Sequence, residues 1–135
     1  LSLPADLAAK PYLQEFYGHV AYASRAYFAG TLGWFDGNPT SLGQLTPTDE
    51  GARMIKLAGG KETVLTAAEA ALANGDAQWC LELTDRLIAT DQAAAKARNW
   101  KVKALRSLAD QTVNAPTRNY YLLSARELEE QGGAD

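Results

Sequence analysis

His19 and Cys80 are the residues of this sequence whose types most often bind metals or attack substrates, and each type occurs once. Zinc hydrolase sites draw several imidazoles onto the ion, so a single histidine predicts neither a metal site nor a catalytic residue in this chain. Glu15 is the acidic residue four positions before His19, and we expect His19 at the surface or at its boundary. Cys80 and Trp79 are both expected to face the core, where a thiol behaves as a small hydrophobic group rather than as a nucleophile.

The loop predicted at 33–40 combines large aromatic side chains with turn residues. Its residues of interest are Trp34, Phe35, Asp36 and Asn38. Aromatic side chains usually stay out of turns unless they pack against something, and the polar groups of a turn are easily offered to a ligand. Two interpretations remain open: the loop is pinned into the core of its own domain, or it meets another domain or a bound molecule.

Arg118 lies near the start of the last predicted helix and is a second candidate for binding. Its guanidinium could contact an anion there, although a local ion pair is the commoner arrangement of such a side chain.

The elements that must position these residues are predicted to be helices. The 135-residue chain contains 25 alanines and 18 leucines but only six valines and isoleucines together, a balance that favours helix over sheet. We therefore predict an all-α fold, with one domain over 1–135 and about six helices. They are expected at about 11–31, 47–58, 61–74, 77–90, 92–110 and 117–130, with Thr46, Asp76 and Asp91 as N-caps of the second, fourth and fifth.

Charge and hydropathy exclude two classes of partner. The net charge is −3, whereas a nucleic acid requires a concentrated positive face. The basic residues between Lys96 and Arg106 point in different directions around their helix, which predicts a solvated face partly paired with acidic neighbours. No window approaches the roughly 20 continuous apolar residues of a bilayer crossing, so no membrane span is expected.

The segment 67–97 resembles a tetratricopeptide repeat and predicts tetratricopeptide-like helical hairpins. Ala-Leu-Ala-Asn-Gly-Asp at 71–76 is followed by Trp79 at an aromatic position of the repeat. Cys80 and Leu87 stand where that family prefers alanine, and the match covers little more than one repeat. One functional alternative is therefore a stand-alone helical adaptor that binds a peptide through these hairpins.

Three strings along the chain resemble the dimerisation domain of bacterial alkyl sulfatases. They are Lys-Pro-Tyr-Leu at 10–13, Leu-Gly-Trp-Phe-Asp-Gly-Asn-Pro-Thr at 32–40 and Arg-Asn-Tyr-Tyr-Leu at 118–122. The resemblance implies the middle part of a three-part enzyme. In such an enzyme a metallo-β-lactamase-like domain with two zinc ions hydrolyses sulfate esters, an all-helical domain pairs two subunits, and a sterol-carrier-like domain receives the alkyl chain.

The resemblance also implies where the chemistry and the partners of this chain are found. Zinc is expected in the catalytic domain of the parent enzyme, and no cofactor is expected in this chain. The implied partners are a second copy of the chain and the parent's catalytic and sterol-carrier-like domains, and the implied location is periplasmic or secreted. The loop at 33–40 is expected to face the catalytic domain and to wall the substrate entrance. A further alternative is that Asn38 or Arg118 grips the sulfate group directly.

The first predicted helix, at about 11–31, is the candidate contact between two copies. It is too apolar for a 135-residue domain to cover completely, so the same stripe of each copy would supply half of a two-fold interface. The candidate interface residues are Tyr12, Phe16, Tyr17, Val20, Tyr27 and Phe28.

Overall fold

Every regular element in the described part of the chain is helical. The structure is a computed structural model that describes residues 2–132. Its α-helices are α1 Ala5–Ala8, α2 Val20–Leu32, α3 Pro47–Leu57, α4 Lys61–Ala73, α5 Ala77–Ala89, α6 Ala94–Gln111 and α7 Ala115–Gly132, and short 3₁₀ helices lie at Pro11–Leu13 and Pro39–Gly43. The predicted all-α class is confirmed. Within the same residues, no helix is both long and apolar enough to cross a bilayer.

The described residues form two compact units. Residues 2–44 together with Val113–Pro116 make the first unit, and residues 45–112 together with 117–132 make the second. Their interiors differ: among the described residues of the first unit only Asn114 is buried, whereas the second unit has an apolar core. A single domain over 1–135 stays a prediction.

Helix α5 is the centre of the second unit, because it packs against α3, α4 and α6. Part of the core is mainly aliphatic and consists of Ile55, Val64, Leu65, Leu87 and Ala97. A second cluster consists of small side chains, which let helices approach closely: Ala68, Ala71, Ala77, Cys80 and Ala104. Burial of a large aliphatic side chain contributes about 1.5–3 kcal/mol, so each large residue of the first group stabilises this unit more than an alanine of the second does.

Trp79 departs from the predicted inward face of α5. Its side chain is 45% exposed, whereas its neighbour Cys80 is fully buried. Residues three and four apart share a helix face, so the face that buries Cys80, Thr84 and Leu87 leaves Trp79 at its edge. The expectation that Trp79 belongs to the core is therefore wrong.

The predicted N-caps of α3 and α5 are correct. The Thr46 hydroxyl accepts a hydrogen bond from the Asp49 amide at 3.1 Å, and the Asp76 carboxylate accepts one from the Trp79 amide at 3.1 Å. Each bond satisfies a backbone donor that the first helical turn leaves without an internal partner.

Asp91 is not the N-cap of α6, contrary to prediction. It lies in a left-handed turn with φ of 54°, and α6 begins after Ala93, which makes no side-chain cap. The amides of Asp91 and Gln92 donate to carbonyls in the last turn of α5. Asp91 therefore terminates one helix rather than starting the next.

Candidate functional site

The long first helix predicted over 11–31 is wrong in its first half. The chain makes one 3₁₀ turn at Pro11–Leu13, is not helical over 14–19, and enters α2 only at Val20. A carboxylate oxygen of Glu15 accepts a hydrogen bond from the Val20 amide at 2.5 Å. This bond satisfies a backbone donor at the start of α2 and helps to fix where the helix begins.

Asn114 bonds the carbonyls that a longer helix would have used. The two N–H groups of its side chain are shared among the backbone carbonyls of Glu15, Tyr17 and Gly18, which lie 2.7, 3.1 and 3.3 Å from the nitrogen. The amide of the next residue, Ala115, donates to the Phe16 carbonyl at 2.7 Å. Hydrogen bonds from a distant part of the sequence therefore replace those of the predicted helix.

The candidate interface residues lie before and along α2. Tyr12, Phe16 and Tyr17 precede the helix, and Val20, Tyr27 and Phe28 lie within it. All but the half-buried Val20 are exposed, with Tyr12 and Tyr17 at 78% and Tyr27 at 75%. We call Tyr12, Phe16, Tyr17, Tyr27 and Phe28 the aromatic surface. No residue from 2 to 44 is buried in the single chain, so this segment has no core of its own to cover the surface.

His19 occupies a boundary position, as predicted. It is the N-cap residue of α2, its ring stacks on Tyr22 with centroids 4.0 Å apart, and its Nε2 lies 3.7 Å from a carboxylate oxygen of Glu15. Within residues 2–132, no three His, Cys, Asp or Glu side chains lie together in a group that could hold a metal ion.

Cys80 is packed as a small core residue, as predicted. Its Sγ lies 3.8 Å from the Trp100 carbonyl, and the side chain is fully buried. Desolvation raises the pKa of the Cys80 thiol, so the nucleophilic thiolate is disfavoured at neutral pH.

The loop at 33–40 is held in shape by its own polar groups. Asp36 accepts hydrogen bonds from the Asn38 amide at 2.9 Å and from the Ser41 hydroxyl at 2.8 Å. These bonds lower the pKa of Asp36, because they stabilise its charged form. The Asn38 side chain accepts a bond from the Thr40 amide at 3.2 Å and caps the following 3₁₀ helix. The loop is therefore ordered without help from a neighbouring core.

The aromatic side chains of this loop are exposed. Trp34 is 72% exposed and Phe35 is 41% exposed, and their rings meet edge to face with centroids 6.0 Å apart. In the single chain the loop is not pinned into a core by either ring. What it meets instead stays a prediction.

An open cavity of about 460 Å³ lies beside the loop. Arg25 and Phe28 of α2 line it together with Trp34 and Asp36 of the loop. Arg25 forms no ion pair with any residue in the part of the chain that the structure describes. The cavity thus presents a cation and a carboxylate beside aromatic rings.

The sequence pattern did not single out Arg25. The sequence signal for Arg25 is Gly33, which is the C-cap of α2 and has a φ of 91°. The chain turns at this glycine, and Trp34, the next residue, lines the same cavity as Arg25.

Arg118 is an exposed residue in the first turn of α7 and belongs to the second unit. It forms no ion pair with the described residues, in contrast to Lys101, which pairs with Asp85, and Arg106, which pairs with Glu129. Its role as an anion contact stays a prediction.

Comparison with protein families gives a match over residues 1–131 to the family described as alkyl sulfatase dimerisation. This chain belongs to that family. The resemblance found in the sequence is thereby confirmed, and the chain is an alkyl sulfatase dimerisation domain.

Relatives of this dimerisation domain include longer alkylsulfatases. The linear primary-alkylsulfatase of Pseudomonas sp. (strain ATCC 19151) is 42% identical over 130 residues, which are 96% of the domain and 25% of that protein. The alkyl/aryl-sulfatase BDS1 of Saccharomyces cerevisiae is 29% identical over 95% of the domain and 20% of its own length. The domain thus spans a fifth to a quarter of these relatives.

A solved structure has the same fold as the domain. The stereoselective inverting sec-alkylsulfatase Pisa1 from Pseudomonas sp. superposes with a TM-score of 0.85 at 37% sequence identity. The match covers 94% of the dimerisation domain and 20% of the Pisa1 chain.

Proposed function

We propose that this domain pairs two copies of an alkyl sulfatase through the aromatic surface of its first unit. The observation that carries the proposal is the exposure of these rings on a segment, 2–44, in which nothing is buried. Exposed apolar patches of this kind mark surfaces that a partner covers. A second copy is the partner that the family description names.

The size of the aromatic surface suits a two-fold contact. If each ring loses about 100 Å² of accessible area, the rings of two copies bury about 1,000 Å² in total. A specific interface buries about 1,200–2,000 Å², so modest contacts from neighbouring residues complete it. In a two-fold dimer the same surface contributes from both copies.

The loop at 33–40 and the cavity beside it form a second part of the proposed function, as a wall of the substrate entrance. An alkyl sulfate combines an anion with an apolar chain. The unpaired guanidinium of Arg25 suits the anion, and the exposed ring of Trp34 suits the chain. A cavity of about 460 Å³ lies within the range of about 300–1,000 Å³ of small-molecule sites.

The hydrolysis itself belongs, in this proposal, to a catalytic domain outside the present sequence. The zinc ions that the resemblance implies do not fit the described residues of this chain, which bring no three ligand-type side chains together. The dimerisation domain pairs two copies of the enzyme and forms a wall of the substrate entrance.

Sedimentation equilibrium of the enzyme that contains this domain tests the pairing. Tyr17→Glu and Tyr27→Glu place a carboxylate in the proposed contact, where desolvation of an unpaired charge is costly. Both are expected to convert dimers to monomers at micromolar concentration. Tyr120→Glu, at an equally exposed tyrosine of the second unit, is the control and should stay dimeric. A monomeric unmutated enzyme that captures peptides would support the adaptor instead.

Steady-state kinetics test the entrance. Arg25→Gln is expected to lower kcat/KM for a linear alkyl sulfate about tenfold at low salt, the effect of losing about 1.4 kcal/mol of transition-state stabilisation. Arg53→Gln, at an exposed arginine of α3, is the matched control. If both variants keep the parental kcat/KM and the parental dependence on salt, the loop region has no part in substrate entry.

A further inference from the structure

A second cavity, of about 340 Å³, lies in the second unit among α3, α4 and α5. Its apolar lining comes from Met54, Ile55, Ala58, Val64, Trp79 and Leu83. We call it the α3–α5 cavity. Its volume falls within the range of about 300–1,000 Å³ of small-molecule sites.

The floor and the rim of this cavity differ in exposure. Ile55 and Val64 are core residues with almost no exposed area, so they form an apolar floor. Met54 and Trp79 are each nearly half exposed and stand at the rim. A ligand with an apolar part would cover these rim side chains.

The charged groups at this cavity disfavour an anion. Arg86 lines it, but its guanidinium is paired with the Glu50 carboxylate at 3.0 Å. Glu82 also lines it and is exposed. Because Glu50 neutralises Arg86, the Glu82 carboxylate gives the lining a negative balance, which repels a sulfate group. A hydroxyl group, by contrast, can donate a hydrogen bond to the Glu82 carboxylate.

The apolar floor of the cavity favours an aliphatic chain. The floor consists of aliphatic side chains, so a polar group placed there would lose its hydrogen bonds with water. Trp79 and Met54 are large, adaptable apolar groups that can close over a flexible chain.

We propose that the α3–α5 cavity binds the aliphatic chain of a long-chain alcohol, with the hydroxyl group at Glu82. This inference rests on the proposed function, because hydrolysis of an alkyl sulfate supplies such an alcohol. The cavity then holds product chains on the dimerisation domain, apart from the entrance beside the loop at 33–40.

Photolabelling of the full-length enzyme tests the proposal. The probe is a twelve-carbon primary alcohol with a diazirine near its tail, and the labelled peptides are mapped by mass spectrometry. Label is expected on the peptides that contain Met54, Trp79 or Leu83. Competition should strengthen about three- to fourfold for each methylene added from octanol to dodecanol, as expected for burial of a chain. 1-Dodecanesulfonate, which cannot be hydrolysed to the alcohol, should compete at least tenfold more weakly than dodecanol.

Variants of neighbouring residues separate binding in the cavity from binding elsewhere. Ala58→Trp fills the cavity and is expected to abolish the label, whereas Leu57→Trp, at the adjacent and 81% exposed residue, should leave it unchanged. Met54→Gln, at the half-exposed rim, should weaken labelling several-fold and serves if Ala58→Trp does not fold.

Three results would overturn the assignment: no label on α3–α5, label that survives Ala58→Trp in a folded enzyme, or equal competition by the sulfonate. Light scattering of the same samples reports dimerisation separately. A failed cavity assignment with an intact dimer therefore differs from a failure of the proposed function.

Discussion

The side-chain amide of Asn114 donates a 2.7 Å hydrogen bond to the backbone carbonyl of Glu15, a residue 99 positions earlier in the chain. The same nitrogen also bonds the carbonyls of Tyr17 and Gly18. Asn114 is buried, so these bonds are shielded from water. They hold Phe16 and Tyr17 outside any helix, and thereby set the shape of this part of the aromatic surface.

Asn114→Asp is expected to loosen residues 14–19. A carboxylate has no N–H to donate, and it would face the carbonyl oxygens that the amide now bonds, at a cost of about 1–3 kcal/mol or more. We expect lower stability in urea unfolding and weaker dimerisation in sedimentation experiments. Asn119→Asp, at an exposed residue of α7, is the control. Equal behaviour of the two variants would contradict this role of Asn114.

Gly51→Ala is expected to destabilise the second unit. A Cβ at Gly51 would lie 2.9 Å from the Arg86 carbonyl oxygen and 3.0 Å from a methyl carbon of Thr90. The nearest atom is backbone and cannot rotate away, so overpacking of about 1–3 kcal/mol should exceed the gain of about 1 kcal/mol in helix propensity. Thermal or urea denaturation measures the difference.

Gly30→Ala is the matched control for this substitution. Gly30 lies inside α2 with no atom within 4 Å of an added Cβ, so only the helix propensity should change. If Gly51→Ala is as stable as the parent or more so, the close approach of α3 to α5 does not exist in solution.

Acid is expected to loosen the loop at 33–40 only below the ordinary titration range of a carboxyl group. The pKa of Asp36 is lowered from its ordinary value of 3.8 by bonds from Asn38 and Ser41. A lowered folded-state pKa gives stability that is present above the ordinary value and is lost as the pH falls through the folded value. The Asn38 amide resonance in NMR spectra should therefore titrate with a midpoint below 3.8. A midpoint at or above that value would contradict the hydrogen bonding, and Asp36→Asn should abolish the titration.

Local signals in the sequence predicted most of the second unit. Thr46 and Asp76 cap the helices that follow them because each bond spans only three residues. The helix predicted over 11–31 is wrong in its first half, because the side chain of Asn114 forms a hydrogen bond with the backbone carbonyl of Glu15. Asn114 lies far from this segment in the sequence. No periodicity within 11–31 contains that information.

The candidate site was also predictable only where local signals in the sequence were enough. The residue types of the loop at 33–40 were enough to single out its aromatic residues, and the structure leaves their side chains exposed. Arg25 was not found, because its place beside Trp34 depends on the turn at Gly33. Trp79 was predicted in the core but is 45% exposed, because helical spacing alone does not determine the exact direction of its side chain relative to the core.

Site-specific cross-linking tests most directly whether two copies meet through the aromatic surface. A benzophenone amino acid replaces Tyr27 in the full-length enzyme, and isotope-labelled and unlabelled copies are mixed before irradiation. We expect intermolecular cross-links from Tyr27 to residues 11–35 of the other copy, and none from the same probe at Tyr120. Cross-links that stay within one copy, or that join only α5–α7 of the two copies, would contradict the proposed interface.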